Sequence, residues 1–367
     1  MKIQNKCTLL VDANWLLMSR AAVIINNFQM DMPEVAKENA QRELHELIAK
    51  SISIVLNRFT IIDNVVLVTD GGSWRKQIPV PKQLQDITYK GNRAPAKELD
   101  WKYIYGALTN LSEQCKEVGM TVSNHSSIEG DDWIWYWSRR LNADGISTII
   151  WSSDNDLKQL IQVDNTNGAF TAWYNDRNGI WFDNSLHEEP ISDLDFFMQP
   201  LKVKSPVLES LKQYSKSTNF IVPDSIVMEK IICGDAGDNI KSIAKMVSGT
   251  KTYKVSIKMW NDIKTNLNIN TLNEFFERKH DILTAILGIK KFIQCNYDDL
   301  SEMFDYNIKL VWLHESVVPE TIIMYMNQLE YNIIDTNYIK SNFKTLCKSE
   351  NEIESIFASV EDEFAPF

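Results

Sequence analysis

Three stretches of this chain read as short apolar strands that run into carboxylates, and they restrict the fold more than any other feature. Thr8-Leu9-Leu10-Val11 closes on Asp12, and Val65-Val66-Leu67-Val68-Thr69 closes on Asp70 before Gly71-Gly72. Ser147-Thr148-Ile149-Ile150-Trp151 leads directly into Ser152-Ser153-Asp154-Asn155-Asp156. A further strand is expected at Gly119-Met120-Thr121-Val122. Between the first two, Leu44, Leu47, Ile48, Ile52, Val55 and Leu56 recur at helical spacing within Asn39–Arg58. Apolar strands separated by helices predict a mainly parallel sheet covered on both faces, an α/β core. Ligands of such sheets sit beyond the carboxyl ends of the strands. Asp12, Asp70 and Asp154 fall there.

The stretch Ile128-Glu129-Gly130-Asp131-Asp132-Trp133-Ile134-Trp135 adds three carboxylates at the start of an apolar helix. A helix start tolerates negative charge because its amide groups point at it. Three acids exceed what one cap needs, and the tryptophans beside them (more fitted to a core than to stacking) draw them inward. Gly234-Asp235-Ala236-Gly237-Asp238-Asn239-Ile240, after a helix expected from Pro223-Asp224, contributes Asp235 and Asp238. Taken singly, each acid has an ordinary explanation as a cap or turn residue. Two like charges about 4 Å apart cost on the order of 4 kcal/mol at an effective dielectric near 20. Asp12, Asp70, Glu129, Asp131, Asp132, Asp154, Asp156, Asp235 and Asp238 together therefore require cations. Oxygen ligands without His or Cys suit Mg²⁺ or Mn²⁺, and two such ions are the machinery of phosphodiester hydrolysis.

Composition narrows the setting. The five Cys are odd in number and lack CxxC spacing, so they read as buried thiols of a reducing compartment. There is no apolar run of membrane-spanning length and no secretory-type opening, and the expectation is a monomer in the cytoplasm. The net charge of −11 argues against a nucleic-acid partner only until its distribution is considered. Arg75 to Lys102 holds seven basic residues against three acidic ones, and Ile240 to Lys258 holds five Lys and no acid. Tyr89-Lys90-Gly91-Asn92-Arg93 supplies two cations for a phosphate and, in Tyr89, a ring that could stack on a base. Lys241, Lys245 and Lys251 could grip a duplex backbone or simply form a solvated helix face. Gly168–Tyr174 and Gly179–Phe182 are expected to form a hairpin at the sheet edge. Helices are expected at Trp101–Leu111, Asn273–Leu287 and Pro319–Leu329.

In this order and spacing the motifs resemble the flap endonuclease / 5′–3′ exonuclease family, most closely the phage branch with the T-even ribonuclease H. The matching pieces are Val11-Asp12, Thr69-Asp70-Gly71, Tyr89 to Arg93, Glu129-Gly130-Asp131-Asp132, Ser153 to Asp156 and Gly234 to Ile240. The resemblance implies a PIN-like nuclease core over residues 1–204 with a helical arch around 82–110. An α-helical DNA-binding and C-terminal domain would follow over 205–367, ending in an acidic tail. It implies two metal sites: Asp12, Asp70, Glu129, Asp131 and Asp132 for the first, Asp154, Asp156, Asp235 and Asp238 for the second. Asp132, Lys90 and Arg93 are the candidate catalytic residues, the last two steering the phosphate. The implied activity is Mg²⁺-dependent cleavage near a 5′ end or flap, on branched DNA and RNA–DNA hybrids, removing RNA primers in replication. A sliding clamp or single-strand-binding protein is the implied partner of the C-terminal region. After Ile240 the chain departs from the family's Gly-rich turn motif, continuing Lys241-Ser242-Ile243-Ala244-Lys245. A PIN-type ribonuclease for single-stranded RNA and a non-catalytic DNA-junction binder are the rival readings.

Overall fold

The computed structural model describes residues 7–59, 61–84, 87–93, 98–164, 166–184, 218–248, 250–334 and 337–339. Strands β1 (Cys7–Asp12), β2 (Asn64–Val68), β3 (Thr121–Ser123), β4 (Ser147–Trp151) and β6 (Phe170–Asn175) form a parallel sheet. Its order is β3-β2-β1-β4-β6, and the short β5 (Gln162–Val163) pairs antiparallel with β6. The expected hairpin is present: β7 (Gly179–Asp183) pairs antiparallel with β6. It is not the edge, because β8 (Thr218–Ile221) pairs parallel with β7. Nothing in the alternation of Thr218 to Ile221 distinguishes so short a strand from a loop.

Side chains of a strand alternate between faces, and here both faces are buried. Leu9, Val11, Val65, Leu67, Ile149 and Trp151 pack with α1 (Ala13–Ala21), α2 (Glu34–Arg58) and α3 (Trp101–Glu117). Leu10, Val66, Val68 and Ile150 face the other way, onto α4 (Gly130–Ala143). Trp133 and Trp137 are fully buried there and Trp135 nearly so, which confirms them as core. The part of 82–110 that is described is a short turn at Lys82–Leu84, the loop 87–93, residues 98–100 with a Gln29–Leu99 bridge, and the first half of α3. Tyr103, Ile104, Ala107, Leu108 and Leu111 sit in the core, so α3 is a packed wall of the sheet, and residues 85–86 and 94–97 of the expected arch lie outside the described residues.

A second core lies under α5 (Pro223–Cys233), α6 (Ile257–Asn266), α7 (Leu272–Glu277), α8 (Lys279–Leu287) and α9 (Tyr297–Val311). The helix expected over Asn273–Leu287 is broken at Arg278, whose backbone leaves helical geometry between α7 and α8. Between α5 and α6 the chain makes an antiparallel ribbon, β9 (Lys245–Ser248) and β10 (Lys251–Lys254). For Lys245 and Lys251 the helical face considered is therefore replaced by a two-stranded ribbon, and Lys241 precedes it in a loop. Helix α10 (Glu320–Met326) returns to the sheet: Leu313, Ile322 and Met326 join the core around α4, and Arg140 donates to the Leu329 carbonyl at 2.9 Å.

The expected boundary at 204/205 and the acidic tail lie outside the described residues. Among those described, no helix is long and apolar enough to cross a membrane. Cys7 and Cys115 are buried free thiols as expected, whereas Cys233 and Cys295 are half-exposed.

Candidate active site

One register relation begins the site. Val11 pairs with Trp151 and Asp12 with Val68, which puts Ser152 beside Asp12 and Asp70 just beyond it. The Ser152 hydroxyl donates to Asp12 Oδ2 at 2.6 Å, and the Trp15 N–H donates to Oδ1 at 3.0 Å. Gly71, Gly72 and Trp74 then donate their amides to the carbonyls of Ile128, Ser126 and Ser127 at 2.8–3.1 Å. That zipper carries the start of α4 alongside β2, where the Gly130 N–H donates to Asp70 Oδ1 at 2.6 Å. A Cβ on Gly130 would meet that same oxygen at 2.8 Å, so any larger residue there would push the Asp70 carboxylate from this place.

The other wall comes from the helical half. Gly234, at φ +77°, ends α5 and turns the chain into a loop closed by mutual Asp235–Ile240 backbone bonds. This loop docks on 88–93: the Lys90 N–H donates to the Asp238 carbonyl at 2.9 Å and the Asn239 amide to the Thr88 carbonyl at 3.0 Å. Lys90 and Asn239 both hold left-handed backbones, φ 55° and 60°. Strain of this kind persists only where surrounding contacts over-determine it.

The nine carboxylates fall into two groups. Five are met by cations: Glu129 by Arg75 at 2.9 Å and Lys90 at 2.5 Å, Asp132 by Arg75, Asp238 by Arg93, and Asp156 with Asp235 by Lys230. Asp12, Asp70, Asp131 and Asp154 have no Lys or Arg within ion-pair distance among the described residues. Burial pushes Asp12 up to about 7 against the pull of its two hydrogen bonds, with Asp70 and Asp154 adding to the rise. Burial also raises Asp131, with Asp154 the next cause, and raises Asp70. Asp156 is pushed up to about 6 by burial and by Asp154, despite Lys230. In contrast Lys90 and Arg75 overcome burial at Glu129 and hold it below the usual range, as Lys230 does for Asp235.

Two expectations are corrected. Asp132 is wholly buried; Arg75 holds both its oxygens at 2.8 and 2.9 Å, and the Trp74 indole N–H donates to one at 2.9 Å. It stands behind the cluster, anchoring α4, with no oxygen turned to the open face. Tyr89 is 7% exposed, its ring in the helical core and its hydroxyl donating to Asp238 at 3.3 Å, so no face is free to stack on a base. Lys90 and Arg93 do stand at the cluster, and Arg93 keeps 57% of its side chain exposed. Lys241 is tied to Asn239 at 2.6 Å, while Lys245 and Lys251 are exposed on the ribbon. Arg75, Ser152 and Lys230 were missed. No spacing rule marks them, since each acts through a partner 5 to 140 residues away.

The donor chemistry fits hard divalent cations: oxygen ligands only, crowded enough that their protons are held abnormally tightly. Among the described residues no three His, Cys, Asp or Glu side chains close into one ligand group. Asp12, Asp70, Asp131 and Asp154 thus make an open face that would hold an ion with water completing its shell, as Mg²⁺ prefers.

No protein-family model matches the chain, and no curated protein matches it significantly. Solved structures do. A bacteriophage T5 protein co-crystallised with metal ions superposes with a TM-score of 0.53 at 14% identity, over 93% of this chain and 98% of that one. The bacteriophage T5 flap endonuclease in a pseudo-enzyme–product complex with DNA and metal ions gives 0.51 at 14% identity, over 94% and 100%. The chain has the flap-endonuclease fold. In this PIN-like architecture the carboxylates stand where the strand ends of the parallel sheet meet the helical half. A pocket lined by Arg75, Tyr89, Asp131, Asp156 and Asp238 opens at that junction.

Proposed function

We propose that this chain is a divalent-metal-dependent nuclease that cuts phosphodiesters at 5′ ends and flaps of branched DNA and of RNA–DNA hybrids. The observation that carries the reading is the cluster Asp12, Asp70, Asp131 and Asp154, left without side-chain counter-ions beside the two cations Lys90 and Arg93. A structural charge network pairs its members, and among the described residues this one leaves four of nine without a Lys or Arg partner at the carboxyl ends of a sheet. The fold it shares with a T5 flap endonuclease bound to DNA and metal ions supports the same substrate class.

In this reading Asp12, Asp70 and Asp131 hold one ion with Asp154 at its flank, and Asp156, Asp235 and Asp238 serve a second. Mg²⁺ is the expected metal and Mn²⁺ a substitute. Bound there, divalent ions supply the charge that lets water attack phosphorus near neutral pH. Lys90 and Arg93 bind and orient the phosphate: each exchanges a carboxylate, Glu129 or Asp238, for a phosphate oxygen. Arg75 keeps Glu129 ionised and fixes the start of α4. Primer removal in a phage-infected bacterial cytoplasm, a place in the T-even branch, a monomeric state, and a clamp or single-strand-binding partner for the C-terminal region belong to the same proposal.

The test is cleavage of a 5′-labelled flap, a nicked RNA–DNA hybrid and plain single-stranded RNA, with Mg²⁺ and with chelator. Asp131→Asn runs alongside, since this acid faces the cluster and carries no ion pair. Cutting of flap and hybrid that needs Mg²⁺ and is lost in the variant supports the proposal. Preferential cutting of plain RNA would favour the PIN-type ribonuclease, and tight junction binding without cutting the non-catalytic binder.

A further inference from the structure

Lys230 occupies the position that the second ion would need. It lies on α5, one turn before Gly234, and its ammonium contacts both Asp156 and Asp235. Asp156 belongs to the sheet half and Asp235 to the helical half, so one side chain joins the two walls of the site. The three side chains are only 19–27% exposed, and the Lys230 contact to each acid is a direct hydrogen bond. A divalent ion placed between these acids would share their oxygens with the ammonium and repel it. Among the described residues nothing comparable bars the way at Asp12, Asp70, Asp131 and Asp154. The two halves of the carboxylate cluster are therefore unequal.

We propose that Lys230 is the resident cation of the Asp156–Asp235 half of the site, so that one divalent ion binds readily and a second enters only by displacing this lysine. The inference rests on the nuclease reading for the existence of the first ion. In the free protein Lys230 neutralises part of the second half and holds the α5 loop against Asp156. A second ion, brought with the phosphate of a substrate, would release the lysine from both acids. Lys230 thereby sets the number of ions held before substrate arrives, a positioning role that needs no contact with the reacting atoms.

Titration calorimetry with Mg²⁺ in the absence of nucleic acid, on the full chain, tests this. The unaltered protein should bind one ion, with a second at least ten-fold weaker. Lys230→Met should bind two, the second at least ten-fold tighter than in the unaltered protein, and Lys230→Arg should behave as the unaltered protein does. Should Lys230→Met fail to fold, NMR of the lysine ε-methylene groups in the unaltered protein serves instead, the Lys230 signal being assigned by its loss in Lys230→Arg. That signal should stay in place through the first equivalent of Mg²⁺ and shift with the second. Two ions of equal affinity in the unaltered protein, or no gain in Lys230→Met, would overturn the role of Lys230 and leave the first site standing. No ion bound by any variant would overturn the metal site itself and this inference with it.

Discussion

Arg75 shows how much one unmarked side chain decides. Its guanidinium is 2% exposed and reaches Glu129 and Asp132 at once, with the Trp74 ring 4.5 Å from its centre. Burial works against its charge, yet Asp132 and Glu129 raise its proton affinity further, so it stays charged throughout the physiological range. Removing one member of such a buried pair strands the other and costs about 3–5 kcal/mol. Arg75→Met should therefore lower the urea-unfolding free energy by about that much, and adding Asp132→Leu should restore a large share. A double variant no more stable than the single one would show that the pair does not act as a unit. Asp132→Asn, for the same reason, should lose stability along with any activity, whereas Asp131→Asn should lose activity without destabilising the metal-free protein.

At the scale of elements, the strands and the acids at their ends were legible, because an apolar run closing on Asp is a local pattern that the sheet register then aligns. Asp12, Asp70 and Asp154 come together through nothing more than the β1–β2 and β1–β4 pairing. The ribbon β9–β10 was not legible. Its strands are four residues each, and their Lys content carries no period-two signal. In it Lys245 pairs directly with Lys254, and like charges opposed across strands are unfavourable until an anion lies between them. These two exposed lysines share one face of the ribbon, suited to phosphates of a duplex, and Lys251 lies on the other face. Lys245→Ala and Lys254→Ala should each weaken duplex binding and reduce the slope of log affinity against log salt by about one, and Lys251→Ala, on the other face, should change it less. Cleavage of substrate already bound should be unchanged. An unaltered salt slope in both Lys245→Ala and Lys254→Ala would remove this face from the interface.

At the scale of the whole molecule, the cluster couples folding to protons, and on the proposed function to metal, with a definite sign. Asp12 at about 7 and Asp156 at about 6 lie above the value near 4 of an unfolded aspartate, and Asp70 and Asp131 are raised too. Between pH 4 and pH 7 the folded chain thus retains protons that the unfolded chain has released. Stability must fall as pH rises through that window, by several kcal/mol. Glu129 and Asp235 are lowered, so their stabilisation is present above pH 4 and is lost only at more acid values, outside this window. On the proposed function, divalent ions would bind the folded, deprotonated cluster and not the unfolded chain, and would reverse the fall where protons have left. In chelator the melting temperature should be higher at pH 5 than at pH 7.5. Millimolar Mg²⁺ should raise it at pH 7.5 by clearly more than at pH 5, and Asp131→Asn should flatten both responses. A chelated protein that grows steadily more stable up to pH 7.5, or an equal Mg²⁺ shift at both values, would mean that the acids do not crowd one another as their positions at the strand ends require.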